Sequence, residues 1–202
     1  MDETALIASA QRGDLEAFNR LVLSHQDALF NAAVRILGDE ELAADATQEA
    51  FLAAFRGLSG FRGGSFTAWL MRTVTNACYD ELRRRKRRPT APLETEGLDG
   101  TDVESPRWLA DPQLSPEQQA EAQELEHAIQ HCLENLPLEF RTVVVMADLQ
   151  GLDYTEVAAA VRAPLGTIKS RLARARLRLR ECLQDFEELL PAAFRLQQEP
   201  TS

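Results

Sequence analysis

The sequence has no apolar run approaching the roughly 20 residues of a membrane span, which excludes a helical membrane insertion. Its charged, amphipathic N-terminus also lacks the apolar stretch of a signal peptide, so a cytoplasmic location is expected. Only three cysteines occur, Cys78, Cys132 and Cys182, widely scattered and without a CxxC pair. That pattern suits a reducing cytosol and small buried thiols rather than a disulfide framework. His127 and His131 share a helix face beside Cys132, but no fourth ligand is evident and Cys132 sits where an apolar residue would pack, so no metal is expected. No set of carboxylates converges as a nuclease or another enzyme would need, and no cofactor motif is present. Internal repeats and the alternation of a strand ladder are missing too.

Charge is the next apparent deficit. The 202 residues carry 22 basic and 32 acidic side chains, a net of −10, which taken as a bulk figure argues against nucleic acid. The distribution resolves this. Residues 1–88 hold 12 of each sign, whereas residues 89–128 hold 1 basic and 10 acidic residues. Residues 129–185 hold 8 basic and 7 acidic ones, with the basic ones gathered in one helix. The acidity therefore belongs mainly to one central segment, and bulk charge is a poor guide to partners.

What is present reads as helices. Residues 4–12 form a short one. Asp14 can cap a longer one in which Phe18, Leu21, Val22, Leu29, Ala33 and Ile36 repeat at helical spacing, ended by Gly38. Asp39 can cap a third, through Leu42, Ala46, Ala50 and Leu52 to about Arg56. A fourth spans about 65–86. Pro89 and Pro92 end this block, and 89–114, rich in Pro, Gly, Thr, Asp and Glu, reads as a mobile linker. Ser115-Pro116-Glu117 then starts helices over about 116–135, 137–150, 153–161 and 165–190, with Gly151 a plausible C-cap. The expected fold is all-α: two small helical domains, 1–88 and 116–190, joined by a flexible acidic linker (89–115) and followed by a short tail (191–202).

The segment 137–180 carries the plainest functional signal. Asp153 can cap a helix and Glu156 can close a capping box, and Val157, Ala158 and Val161 give it a short apolar face. Arg162-Ala163-Pro164 interrupts it, and proline forbids a continuous helix there. On the next helix Ile168, Leu172, Ala175 and Leu179 recur at helical spacing and face a core. That sends Thr167, Ser170, Arg171, Arg174 and Arg178 outward, with Lys169, Arg176 and Arg180 on the flanks. Six basic residues and no acid lie between 169 and 180. A helix, a tight turn and an arginine-rich helix make a device for reading a DNA groove, because arginine meets both phosphates and guanine edges.

A second basic cluster, Arg83-Arg84-Arg85-Lys86-Arg87-Arg88, closes the fourth helix. Such a run usually means solvation or a match to the helix dipole. Here the same helix bears Trp69, Asn76, Tyr79 and Asp80, and a Gly-rich, aromatic-bearing loop, GLSGFRGGS, precedes it. Phosphates meet arginine while unstacked bases meet rings and amides, the combination an open DNA strand needs. Trp69, spaced with Leu70 and Thr73, reads as core rather than as a stacking platform. His25 reads as a core-edge residue.

DATQEAFLAAF, then FRGGSFTAWLMRTVTNACYDELRRRKRR, then LPLEFRTVVVMADLQGLDYTEVAAAV and GTIKSRLARARLRL together resemble the extracytoplasmic-function (ECF, group IV) sigma factors of bacterial RNA polymerase. The resemblance covers both helical blocks and implies two all-helical domains, sigma regions two and four, without enzymatic activity. It implies that Asp45, Gln48 and Glu49 dock on the clamp helices of the polymerase β′ subunit. It assigns Phe61, Arg62, Gly63, Gly64 and Ser65, with Asn76, Asp80, Arg83 and Arg84, to melting and reading the minus-ten element, where a non-template base flips into the loop's pocket. Thr167, Lys169, Ser170, Arg171 and Arg174 are assigned to the duplex minus-thirty-five element, with Arg141 a backbone contact beside them. Core RNA polymerase (β′ clamp helices and β flap), promoter DNA as duplex and as non-template single strand, and an anti-sigma factor are the implied partners. The acidic linker resembles one that threads toward the polymerase cleft.

Three positions depart from the family pattern. Arg162 stands in the turn where Gly is frequent, at a cost of roughly 1 kcal/mol if φ is positive there. FRGGS is a short loop for the family, and Ala173 replaces a larger side chain beside the reading residues. A response regulator would need an α/β receiver domain, and the N-terminal block has no strands. A stand-alone repressor would leave residues 61–88 without a purpose.

Overall fold

In the computed structural model, which describes residues 2–87 and 115–190, eight α-helices and no strands are found among the described residues. Residues 88–114 and 191–202, and with them the expectations for the linker and the tail, lie outside the described residues. None of the described helices is long and apolar enough to cross a membrane.

The helix starts follow side-chain chemistry. Helix α1 (Glu3–Gln11) begins at Asp2, whose carboxylate accepts from the Thr4 amide. Helix α2 (Leu15–Leu37) begins at Asp14, which accepts from the Glu16 and Ala17 amides. It ends at Gly38 in the left-handed region (φ 73°), where a Cβ would collide with Glu134. Helix α3 (Glu40–Gly57) starts at Asp39 and runs into a 3₁₀ turn, Leu58–Gly60. Helix α4 (Phe66–Arg87) follows the glycine loop.

Helix α5 (Pro116–Glu134) has a full capping box between Ser115 and Gln118. Helix α6 (Leu138–Val144) continues into one π turn, Val145–Leu149, so the expected helix 137–150 changes its winding part-way. Helix α7 (Tyr154–Val161) carries the capping box of Asp153 and Glu156. It ends at Arg162 with φ 54° and ψ 47°, the one non-glycine residue at positive φ among those described. Helix α8 (Leu165–Gln184) stops short of the expected residue 190. Glu187–Leu189 forms a 3₁₀ turn, and the Phe186 ring folds back onto His131 of α5 at 5.9 Å.

Burial follows the apolar stripes. Leu21, Leu29, Ala33 and Ile36 of α2 face Ala43, Ala46, Ala50 and Ala54 of α3 and Leu70, Val74 and Cys78 of α4. Ile168, Leu172 and Ala175 of α8 close on Val143, Val145 and Val157. Leu52 does not follow the expected stripe: it is 43% exposed, because the alanines at 43, 46, 50 and 54 set the inward face and Leu52 lies off it.

One further expectation is corrected. Cys132 and Cys182 are joined in a disulfide between α5 and the end of α8, with Cα atoms 5.7 Å apart and 50 residues of separation. Only Cys78 is the buried thiol expected of all three; burial in α4 pushes its pKa up to about 12. The two blocks also pack against each other, and their apolar interiors form one continuous core.

Candidate nucleic-acid and polymerase interface

The loop Phe61–Ser65 stands on three rings. Phe61 meets Phe66 at 5.4 Å and Trp69 at 5.5 Å, and Phe66 stacks on Trp69 at 5.4 Å. His25 adds an edge contact to Phe66 and bonds Glu3, which leaves it at the margin of this core. Trp69 is half-buried and supports the loop from below. Gly63 and Gly64 have φ of 99° and 91°, with nothing within 4 Å of a built Cβ. Glycine is needed there for backbone conformation, not for lack of room.

Downstream on α4, Asn76, Asp80, Arg83 and Arg84 are all exposed and fall on successive turns of one side. Arg83 pairs with Asp80 at 3.2 Å, Arg84 pairs with Glu81, and Arg85 reaches Asp39 at 3.0 Å. The basic run is thus partly met by acids of its own block. Asn76, Asp80 and Arg84 line one cleft together with Asp45 and Glu49 of α3.

Gln48 turns the other way. It lines a groove between α2 and α3 with Leu15, Val22, Phe51, Leu52 and Phe55. Leu52 and Phe55 are 43% and 46% exposed, and with Gln48 they share the outer side of α3. Asp45 and Glu49 therefore open onto one depression and Gln48 onto another. The apolar groove was not anticipated, although Leu52 and Phe55 falling outside the alanine stripe was a readable sign.

On α8, Lys169, Ser170 and Arg174 are exposed, and Gly166, Ala173 and Leu177 lie on the same side. Thr167 is half-buried and its carbonyl accepts from the Ser170 hydroxyl at 2.9 Å. Arg171 is less free: it pairs with Glu139 of α6. Arg176 fastens α8 to the preceding turn through Asp148 (2.9 and 2.6 Å) and Tyr154 (3.2 Å), and these hydrogen bonds, first of all those to Asp148, raise its pKa. Arg178 lies over the Phe140 ring at 5.2 Å.

Arg141 is not beside this face. Its guanidinium donates to the carbonyls of Ile36 (2.6 Å), Glu134 (2.6 Å) and Leu136 (3.5 Å). Burial lowers its pKa, and its Nε is buried with no partner among the described residues. Arg141 thus joins the C-terminal ends of α2 and α5, one from each block, where carbonyls and helix dipoles favour a cation. Two further contacts cross the same seam. Arg35 meets Glu126 and Gln130, and the Tyr79 hydroxyl meets the Thr142 hydroxyl at 2.9 Å. Burial raises the pKa of Tyr79.

The seam also runs beside the loop. A cleft of about 410 Å³ is lined by Gly60–Ser65, Ala68, Trp69 and Arg72 on one side and by Glu156, Ala159 and Ala160 of α7 on the other. The paired His127, His131 and Cys132 do not form a ligand set: the Cys132 sulfur is in the disulfide, and His131 bonds Asn135.

Comparison with known proteins agrees with this anatomy. Residues 21–88 match the family Sigma-70 region 2 and residues 126–179 the family Sigma-70, region 4. The chain is 36% identical over 180 residues to the RNA polymerase sigma-H factor of Pseudomonas aeruginosa, covering 89% of this chain and 92% of that one. It is 33% identical over 177 residues to the ECF RNA polymerase sigma-E factor of Escherichia coli K12, covering 87% and 91%. Among solved structures, CnrH in complex with the cytosolic domain of CnrY is similar at a TM-score of 0.62 and 26% identity, over 90% of this chain and 96% of that one. The sigma factor RpoE with the anti-sigma factor NepR from Bartonella quintana gives 0.62 at 24%, over 82% and 96%, a likeness of fold.

Proposed function

The chain belongs to the extracytoplasmic-function family of RNA polymerase sigma factors, and we propose from this the division of labour among its surfaces. It binds bacterial core RNA polymerase and directs promoter recognition, minus-ten melting and the start of transcription. It supplies binding and strand separation, and the polymerase supplies the chemistry.

The observation that carries the reading is the pairing of two unlike DNA-facing surfaces on separate blocks. Lys169, Ser170 and Arg174 form the exposed side of a helix that a major groove admits, with Ala173 and Leu177 offering apolar contact to base methyls. Thr167 and Arg171 flank them; Arg171 reaches DNA by exchanging Glu139 for phosphate. The loop Phe61–Ser65 over Phe66 and Trp69 suits an extruded base, and Asn76, Asp80, Arg83 and Arg84 suit the adjacent single strand. The β′ clamp helices dock along α3, with Leu52 and Phe55 giving the apolar contact beside Gln48, and Asp45 and Glu49 the polar one. Region four meets the β flap.

Helix α7 lines one wall of the cleft beside the loop, and the two blocks part when promoter DNA binds, which widens that cleft for the strand. Parting the blocks costs Arg141 its bond to the Ile36 carbonyl, while those to Glu134 and Leu136 stay within its own block, and the freed N–H becomes available to a phosphate. A cytoplasmic protein partner of the anti-sigma type keeps the factor idle; the support for this is the likeness to CnrH, solved with the cytosolic domain of CnrY.

Run-off transcription with purified core polymerase on a pool of promoter fragments tests the reading. New transcripts downstream of one shared two-part motif are expected only when the protein is added. Duplex binding by the protein alone with no new transcripts would overturn it in favour of a free-standing helix-turn-helix regulator.

A further inference from the structure

Helix α1 ends in a residue that nothing so far accounts for. Gln11 extends its amide across to the turn that leads into the minus-ten loop, far along the sequence. A glutamine amide nitrogen has two N–H groups to donate. Here one goes to the Leu58 carbonyl at 3.0 Å and the other to the Phe61 carbonyl at 2.9 Å. These carbonyls bracket the 3₁₀ turn Leu58–Gly60. Leu58 also accepts from the Phe61 amide at 3.0 Å, and at Phe61 the backbone turns extended and enters Arg62-Gly63-Gly64.

The far end of the loop is fixed separately. Ser65 Oγ accepts from the Ala68 amide and the Ser65 carbonyl from the Trp69 amide, both at 3.1 Å. Between the two ends, Arg62, Gly63 and Gly64 are exposed, and a Cβ at either glycine would meet nothing. A span with few contacts of its own takes its position from its ends. The exit is held by local helix capping, and the entrance is held by a side chain 50 residues away from the carbonyl it binds. Gln11 does not line the cleft below the loop, so it acts through the loop and not on the base. It also precedes the segment matched as region 2, which begins at residue 21.

We propose that Gln11 is a positioning residue for minus-ten readout. By holding the Leu58 and Phe61 carbonyls together, it sets where Arg62–Gly64 stand relative to the Phe61, Phe66 and Trp69 rings, and so how well the loop tells one extruded base from another. This rests on the assignment of the loop to the minus-ten element. Side-chain chemistry makes the role specific. Glutamate in the same place turns two acceptors toward two carbonyls, methionine has the length but no donor, and lysine has the length and donates.

The test uses holoenzyme and forked duplexes carrying the non-template minus-ten strand of a promoter found by run-off, in four versions differing at the extruded base. Gln11→Glu and Gln11→Met should lower discrimination among the four by about tenfold. Gln11→Lys should retain it within about threefold of the parent. Core-polymerase affinity and minus-thirty-five duplex binding should stay within twofold for all three. Loop variants Arg62→Ala and Gly63→Val are run alongside. If these leave discrimination unchanged, the loop assignment itself fails. If they reduce it while Gln11→Glu and Gln11→Met do not, the loop stands and the role of Gln11 is refuted. Parallel loss of core binding, duplex binding and discrimination in the Gln11 variants would make the residue merely structural, and would equally overturn the proposal.

Discussion

The Cys132–Cys182 disulfide yields a large stability effect from a single change in this chain. It closes a loop of 50 residues of separation, from α5 to the last turn of α8. In the chain-entropy treatment, closing a loop of that length removes about 14 cal/mol/K from the unfolded ensemble, or about 4 kcal/mol at 25 °C. Losses on removing native bridges run from about 2 to 5 kcal/mol, a large fraction of a small domain's total stability. Urea unfolding followed by far-ultraviolet circular dichroism, with and without dithiothreitol, measures it. The oxidised chain should lose about 2–4 kcal/mol on reduction. Cys182→Ser should unfold like the reduced parent and be indifferent to reductant. In the folded chain the Cys78 thiol is buried and its pKa is pushed up to about 12, so it leaves the bridge intact until the chain unfolds. Thiol titration provides the check: no reactive thiol in the native oxidised chain, one on unfolding, three after reduction. Equal stability of Cys182→Ser and the oxidised parent, or ready alkylation of Cys132 without reductant, would refute the argument.

Three other outcomes are expected. Tyr79→Phe removes one cross-seam hydrogen bond while Thr142 keeps its bond to the Leu138 carbonyl. The loss of about 1 kcal/mol should raise the open fraction roughly fivefold, read as a lower energy-transfer signal between dyes on the two blocks; an unchanged signal would remove Tyr79 from the seam. Asp153 has its pKa lowered by hydrogen bonds from the Thr155 side chain and the Glu156 amide, so its charged form favours the folded state. That contribution is full above the unfolded carboxylate value of about 3.9 and is lost as pH falls through the lower folded-state pKa. The melting-temperature gap between the parent and Asp153→Asn should therefore be constant from pH 7 to pH 5 and narrow progressively below about pH 4, and a gap that stayed constant as the pH was lowered into the acid unfolding range would contradict it. Leu52→Glu and Phe55→Glu, both on exposed sites, should abolish core-polymerase binding with helicity unchanged; retained binding in pull-down would move the docking face elsewhere.

What could be read in the sequence was local. Asp14, Asp39, Ser115 and Asp153 announce helix starts because each can satisfy an amide two or three residues on, and all four do so. Arg162 stands out because it occupies the turn where the family it resembles often has Gly, and it does adopt the left-handed region. The loop glycines and the side of α8 bearing Lys169, Ser170 and Arg174 were legible for the same reason: spacing fixes which way a side chain points. Periodicity does not say what an inward side chain meets. Arg141 reads as an outward arginine until the C-terminal end of α2 is brought to it, 105 residues away in sequence. Cys132 and Cys182 read as two thiols until α5 and α8 are packed, and the early end of α8 depends on Phe186 finding His131. Leu52 was named with Leu42, Ala46 and Ala50 because apolar residues in an alanine-rich helix fit more than one stripe. Gln11 carried no signal at all, since a polar residue ending a short helix has no period to belong to.

The contact between α7 and the glycine loop has a consequence in base pairs. At 3.4 Å of rise per pair, the minus-ten and minus-thirty-five elements lie roughly 85 Å apart along duplex DNA. Here the loop and the first helix of the helix-turn-helix share the walls of one cleft. Residues 88–114 have a contour of at most roughly 90 Å, enough chain for the blocks to reach both elements. Promoter affinity is then the intrinsic affinity multiplied by the fraction of molecules that are open. Each 1.4 kcal/mol held in Arg141, Tyr79, Arg35 and the buried seam around them weakens the free chain's grip on a promoter tenfold. The side chains of the seam thereby set how much promoter occupancy a given concentration of this factor achieves.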